Sequence, residues 1–311
     1  QYGALQESCG LWLSSASARL VLAGEDRVRF LDGLLTCEIK HLEPGRGVHG
    51  FFTDVKGHVL ADVVVWASSD RLLLEVPATC RDSIATHIDK YIVVDRVAVR
   101  VADDQTALSL AGPQTVANLE RLLEAPPTAT WSHANCRVLA HDAWISVDPR
   151  AGVPTWTVWS NPAATAELRA NLVAEGVLEA DPEAREALRL ETGMPVFGID
   201  YGSDNLPQET GLEDSISYTK GCYLGQEVVA RLHYRGQVAR RLARLQSTVG
   251  EAPSPGTVLL LEGRPAGTVT STARSPTAGS VLVLAMLQRR ALEPGTQLQM
   301  EGGGSVVRVV D

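Results

Sequence analysis

The chain has 311 residues, 45% of them hydrophobic and only 5% aromatic, enough for two or three domains that each bury a core. Its formal net charge of -9 argues against a general nucleic-acid binder, which would carry a basic face. The cysteines Cys9, Cys37, Cys80, Cys136 and Cys222 are far apart, odd in number and without a C-x-x-C pair, so neither a zinc knuckle nor a disulfide framework is indicated. Free thiols fit a reducing compartment, the apolar runs are strand-sized, and no signal-like N-terminus is visible, so the expectation is a cytoplasmic protein with no membrane span. No histidine spacing suits a metal, and no metal is expected.

In chain order, residues 19–23 are predicted as a strand and 24–38 as a helix, with Val28, Leu31, Leu34 and Leu35 at helical spacing. Gly45, Gly47 and Gly50 mark a loop, followed by strands at 51–53, 59–66 and 72–76 joined by turn-forming residues. A helix at 79–91 and a strand at 93–101 complete a first α+β unit. A second, at about 105–180, has strands at 107–110, 136–140, 144–147 and 155–159 and helices at 114–123 and 163–175, the latter with Pro162 at its start. Asp181-Pro182 opens a helix to about Thr192, and a further helix-like run spans 227–234. From 237 onward, strands at 238–249, 258–261, 266–272, 281–287, 297–300 and 306–310 alternate with Pro, Gly and Ser and predict a small β-barrel at 237–311. The fold class is therefore α+β, with residues 1–236 forming two α+β subdomains.

The densest stretch is Lys220-Gly221-Cys222-Tyr223-Leu224-Gly225-Gln226-Glu227. Gly221 and Gly225 suggest positive φ or close backbone approach. Cys222 lies just before a helix N-terminus, where the dipole and nearby Lys220 favour thiolate; the plain alternative is an inert buried thiol. Between Lys220 and Arg244 stand Lys220, Arg231, Arg235, Arg240, Arg241 and Arg244 against Glu227 alone, either a solvated face or a landing site for an anion. Tyr201, Tyr223 and Trp66 read either as walls for an aromatic ligand or as packing.

The run K-G-C-Y-x-G-Q-E resembles the signature of the YgfZ family, relatives of the glycine-cleavage T-protein that bind tetrahydrofolate. Arg189-x-Glu191-x-Gly193, Pro195, Gly198, Asp200, Pro207, Glu209 and Leu212 are similar to a run shared by both branches, and residues 30–36 with Gly57-His58-Val59-Leu60-Ala61-Asp62 are a weaker match. The resemblance implies two ferredoxin-like α+β subdomains around a central folate cleft plus the barrel. It implies tetrahydrofolate as cofactor, polyglutamylated or carrying a one-carbon unit, with Glu191 accepting two N–H bonds from the pterin edge. Lys220, Tyr223, Gln226, Glu227, Arg231 and Tyr201 complete the expected cofactor-binding residues. Cys222 is the candidate nucleophile or redox group, and Asp62 a weaker catalytic candidate. The implied role is support of iron–sulfur cluster assembly or repair in client enzymes, and of tRNA modification through them, by a monomer whose partners are folate and client proteins or assembly machinery. T-proteins carry two adjacent Asp where this chain reads Ala61-Asp62, which counts against the alternative of a folate-dependent aminomethyltransferase or demethylase. A non-catalytic scaffold that has lost its ligand is the third reading.

Overall fold

β-Branched and leucine-rich runs build two open sheets in the N-terminal part of the chain. In the computed structural model the described residues are all but 103, 124, 139–140, 248–251, 303–305 and 311. Residues 1–53, 60–181 and 214–224 form one compact unit, and residues 54–59, 182–213 and 225–311 form the other. The barrel's unit thus also takes in the helices on either side of the signature's approach loop.

The first unit contains a five-stranded sheet in the order Gly47–Thr53, Val59–Ala67, Arg71–Pro77, Ser17–Ala23, Ala98–Ala102. Its six-stranded sheet runs Leu178–Glu179, Gly10–Ser14, Thr106–Ala111, Thr155–Ser160, His141–Asp148, Ser132–Val138. Helix Arg81–Tyr91 covers the five-stranded sheet with Ile84 and Ile88, both fully buried. Helix Pro162–Ala174 is capped by the Asn161 side chain, which accepts from Ala164 N at 2.9 Å, and buries Leu168 and Leu172 against Leu108, Leu110 and Val158. The two sheets share a tryptophan-rich core of Trp66, Trp144 and Trp159 with Val21, Val64 and Leu73. The mixture of antiparallel sheets and covering helices is the α+β class that the segment pattern predicts.

The second unit contains a closed barrel in the order Arg240–Ser247, Val281–Gln288, Arg264–Arg274, Val258–Leu261, Gln297–Met300, Val306–Val309. Closure leaves no unpaired edge, and Leu245, Leu259, Val283, Leu298 and Val307 fill the interior. Helices Pro182–Thr192 and Gln226–Arg235 belong to the same unit.

Several elements differ from the pattern reading. The expected helix at 24–38 is only Arg27–Asp32. Leu34 and Leu35 are buried instead by a turn, whose carbonyls point to a buried lysine described below. The strand expected at 93–101 is Ala98–Ala102; Val93 and Val94 are 80% and 88% exposed, so the apolar alternation there was not a buried face. Helix 114–123 shrinks to Thr115–Leu119. The glycines read as a loop at 47 and 50 lie inside strand Gly47–Thr53: a Cβ on Gly47 would sit 2.2 Å from the Trp66 ring. Helix Tyr2–Glu7 and strands Gly10–Ser14 and Leu178–Glu179 were not anticipated. The expected strand ends at 139–140 and 248–249 lie outside the described residues.

In the tryptophan core the Trp144 indole N–H donates to His133 Nδ1 at 2.9 Å, and His133 Nε2 faces the Ala67 carbonyl at 2.7 Å. This pairing requires the neutral imidazole with its hydrogen on Nε2. Burial, with a smaller push from Arg19, holds His133 below its ordinary value of 6.5. The folded value lies below the unfolded one, so as pH falls through about 6.5 the unfolded chain takes up the proton first and folding stability declines. Urea denaturation is expected to show lower stability at pH 5.5 than at 7.5, with the difference smaller in His133→Gln; an equal difference in both proteins would remove His133 as the source.

Candidate functional site

The signature is anchored by its first residue. Lys220 has a side chain with 0% exposure, and its ammonium donates to the carbonyls of Asp32 at 2.6 Å, Leu35 at 3.0 Å and Cys37 at 2.6 Å. Asp32 Oδ1 lies 3.1 Å from the same nitrogen and also accepts from Ile39 N at 2.9 Å. A buried ammonium survives only where carbonyls and a counter-charge replace water, and here the turn after helix Arg27–Asp32 supplies both. The Tyr223 ring lies 5.5 Å from the ammonium, and burial pushes its phenol well above the usual value. Leu224 closes the loop: its N–H donates to Gly33 O at 3.0 Å and its carbonyl accepts from Thr53 Oγ1 at 2.5 Å. Lys220 is thus a strut for the loop, and its donors are spent on the protein itself rather than turned toward Cys222 or a ligand.

The loop presents Cys222 to solvent, whereas Cys9, Cys37 and Cys80 are buried and Cys136 is half-buried. Burial pushes Cys37 to about 12 and Cys136 to about 11, and raises Cys9 and Cys80 as well. The reading of Cys222 as an inert buried thiol is therefore set aside. Gly225 has φ of +82° at the N-cap of helix Gln226–Arg235, the left-handed geometry its position suggests. Gly221 corrects the same reading, because it has neither a positive φ nor an atom within 4 Å of a built Cβ.

In the same unit Asp62 lies in strand Val59–Ala67, 8% exposed. Its Oδ2 is 3.4 Å from His49 Nε2 and 3.5 Å from Arg150 Nη1, while its Oδ1 is buried with no hydrogen-bond partner among the described residues. His49 Nδ1 meets Ser215 Oγ at 2.6 Å, and Arg150 also binds Asp148 at 2.7 Å and Glu75 at 3.0 Å. Burial alone would raise the Asp62 carboxyl, but the His49 hydrogen bond and the charges of His49 and Arg150 hold it below the usual carboxylate value. It is a fixed anion with one unused oxygen. Sequence reading missed His49, Ser215 and Arg150: His49 stands 13 positions from Asp62 and 166 from Ser215, so the contacts carry no common spacing.

In the barrel's unit Arg189 and Glu191 lie on helix Pro182–Thr192 and do different work. Arg189 Nη1 donates to Asp200 Oδ2 at 2.6 Å and Met194 O at 2.7 Å, and Nη2 to Ser271 Oγ at 2.9 Å and Glu186 Oε1 at 2.5 Å. Asp200 Oδ1 accepts from Thr270 at 2.7 Å and Ser271 at 2.6 Å, so the Arg189–Asp200 pair staples the helix to strand Arg264–Arg274. Glu191 Oε1 accepts from Ser275 Oγ at 2.6 Å and Thr277 Oγ1 at 2.7 Å, which fixes the carboxylate on the barrel hairpin. Tyr201 is buried and meets Phe197 edge-on at 5.6 Å, a packing contact. Gln226 is half-buried, and Glu227 and Arg231 are exposed on helix Gln226–Arg235. The basic run is not one surface: Arg240 pairs with Glu209 at 3.2 Å and Arg244 donates to Glu191 O at 3.0 Å, while Arg231, Arg235 and Arg241 are exposed and form no ion pair among the described residues.

Residues 1–220 match the GCVT N-terminal domain and residues 240–310 the glycine cleavage T-protein C-terminal barrel domain. The tRNA-modifying protein YgfZ of Sodalis glossinidius is 31% identical over 276 residues, covering 87% of this chain and 82% of its own. The chain belongs to the glycine-cleavage T-protein family, in its YgfZ branch. An aminomethyltransferase of Nostoc sp. is 24% identical over 100% of this chain and 85% of its own. The crystal structure of the glycine cleavage system aminomethyltransferase T from Bartonella henselae superposes with a TM-score of 0.92 at 19% identity, covering 100% of this chain and 87% of that one, and so has the same fold. Among the described residues no helix is long and apolar enough to cross a membrane, and no group of three His, Cys, Asp or Glu side chains could hold a metal ion.

Two outcomes are expected for this YgfZ-branch signature. Lys220→Met leaves buried carbonyls and Asp32 without their cation and should cost about 3–5 kcal/mol in urea denaturation; a loss below about 1 kcal/mol would mean the loop does not depend on the lysine. Limited iodoacetamide treatment of the native protein, read by peptide mass spectrometry, should alkylate Cys222 ahead of Cys9, Cys37, Cys80 and Cys136; preferential labelling of any other cysteine would contradict the exposure order.

Proposed function

We propose that the chain is a tetrahydrofolate-binding accessory protein of the YgfZ type, which supports assembly or repair of iron–sulfur clusters in client enzymes and, through such a client, tRNA modification. The observation that carries this reading is the signature loop, in which a buried lysine spends its donors on holding the loop while Cys222 stands exposed. Such a thiol is available to a soft metal, a disulfide or an electrophile, which suits an assembly factor. The work is assigned to a monomer in the cytoplasm, where thiols stay reduced.

The donor chemistry fits a reduced folate. Glu191 keeps a carboxylate oriented by Ser275 and Thr277, the acceptor that a pterin edge with adjacent N–H groups requires. Tetrahydrofolate, when bound, supplies a reduced pterin able to carry a one-carbon unit. Gln226, Glu227 and Tyr201 are assigned to folate binding with Glu191. Lys220 is assigned to holding the loop, and Arg231 to the glutamate tail.

A second reading, folate-dependent aminomethyl transfer or demethylation, is favoured by one observation. Asp62 is a buried anion with an oxygen unused by the protein, a group suited to a developing positive charge. Product analysis with an aminomethyl carrier would separate the two.

Calorimetry of the full chain with tetrahydrofolate tests the first reading. Glu191→Gln keeps an acceptor for Ser275 but offers the pterin edge a donor in place of an oxygen, and should weaken binding by about 2–4 kcal/mol, roughly thirty- to a thousand-fold. Cys222→Ser should bind folate as the parent does yet fail to support iron–sulfur client enzymes in cells. Unchanged affinity in Glu191→Gln removes the pterin assignment, and full support by Cys222→Ser removes the thiol from the function.

A further inference from the structure

Arg19 is a buried arginine that the proposed function does not use. It lies in strand Ser17–Ala23, is 4% exposed, and stacks on Trp144 at 4.3 Å and Trp159 at 5.0 Å. Its Nη1 donates to Gln105 Oε1 at 2.8 Å, a neutral acceptor, and its Nε is buried with no partner. Among the described residues it makes no ion pair. Glu75, its cross-strand neighbour, turns its carboxylate to Arg150 at 3.0 Å. A guanidinium is rarely buried without a carboxylate, because removing its charge from water costs several kcal/mol. Stacking on two indoles recovers only part of this.

The strand register puts two more arginines on the same face. Arg100 pairs with Val21 and Arg71 with Ala23, and directly paired residues share a face with each other, as Arg19, Val21 and Ala23 do along their strand. All three arginines line one cleft of about 220 Å³, together with Gln105, Asn135 and Trp144. Asp104 and Asp142 also line it. The Asp142 carboxylate is 99% exposed and lies 3.9 Å from Arg137, and Arg71 lies 3.5 Å from Asp70. Arg100 is exposed and has no ion pair among the described residues. Burial, with repulsion from Arg71 and Arg100, lowers Arg19 to about 10 against the pull of Glu75 and Asp104. The cleft is smaller than the roughly 300–1,000 Å³ of sites for drug-sized ligands, which excludes a whole folate.

We propose that this cleft is a binding site for a compact oxyanion, a phosphate or carboxylate group held by Arg19, Arg71 and Arg100 over the Trp144 ring. Guanidinium forks match both groups in geometry, and Gln105 and Asn135 offer neutral hydrogen bonds beside them. An anion there supplies the direct ion pair that none of the described residues gives Arg19. The site belongs to the first unit and is independent of the folate assignment.

The test is titration of the full chain with inorganic phosphate and, separately, malonate, each against sodium chloride at matched ionic strength. Tryptophan emission and the thermal midpoint are the readouts, since Trp144 and Trp159 touch Arg19. A saturable change at millimolar anion is expected, weakened at least tenfold in the Arg71→Gln/Arg100→Gln double variant, whose substitutions lie at strand positions open to solvent and leave the buried core intact. A stronger response to phosphate assigns the phosphate class, a stronger response to malonate the carboxylate class, and either supports the site. A response equal to that of chloride, or one unchanged in the double variant, overturns it and leaves Arg19 as a packing residue. Arg19→Lys adds a second check: it keeps the charge but loses the fork, and should also weaken the response.

Discussion

The N-terminal unit depends on one ammonium group. Lys220 is held at 0% exposure by carbonyls of a turn that lies 185 positions earlier in the chain. The cost of burying that charge is offset only if Asp32, Leu35 and Cys37 all aim their carbonyls at it, so the turn and the signature loop fix one another. This explains why helix Arg27–Asp32 stops after six residues: a further helical turn would commit the carbonyls of Asp32 and Leu35 to their own backbone. Closure of the loop by Leu224 onto Gly33 and Thr53 then leaves Cys222 outside.

The barrel's unit repeats the logic with an arginine. Arg189 reaches Asp200, Glu186 and Ser271, a fully satisfied ionic network in which every charge has a partner. Its effect is positional. Glu191, two residues on, is carried to the hairpin where Ser275 and Thr277 grip one oxygen. Residues that look alike in the motif thus divide into supports and candidates for ligand contact. A preorganised carboxylate loses less on binding than one that must be ordered at that moment.

Two arginines of the first unit, one buried and one half-buried, make a useful contrast. Arg150 has the carboxylates of Asp62, Asp148 and Glu75 around it, and its charge helps keep Asp62 ionised. Arg19 stands across the strand pair from Glu75 and has two indoles and an amide instead. Identical side chains therefore have opposite electrostatic standing within one unit. The first is a closed structural network and the second an open one, and this asymmetry is what makes the cleft beside Arg19 a site.

Period-two runs and turn residues determined most strands, because burial of one sheet face imposes that period directly; the barrel after residue 237 is the clearest case. Pro162 and Asp181-Pro182 marked two helix starts, since proline at the first helical position and a capping residue act locally. The signature, with Gly225 at its left-handed position, was likewise readable in eight consecutive residues. Tertiary structure alone decided the rest. Gly47 and Gly50 are strand residues because Trp66 and Cys37 press against them, which no local rule contains. Val93 and Val94 belong to an apolar, β-branched run that reads like a buried strand yet face water. Above all, His49, Ser215 and Arg150 around Asp62, the carbonyls around Lys220, and the arginines around the small cleft come from distant segments. Charges find partners through space and not along the chain, so their environment, and hence their chemistry, is set only when the sheets assemble.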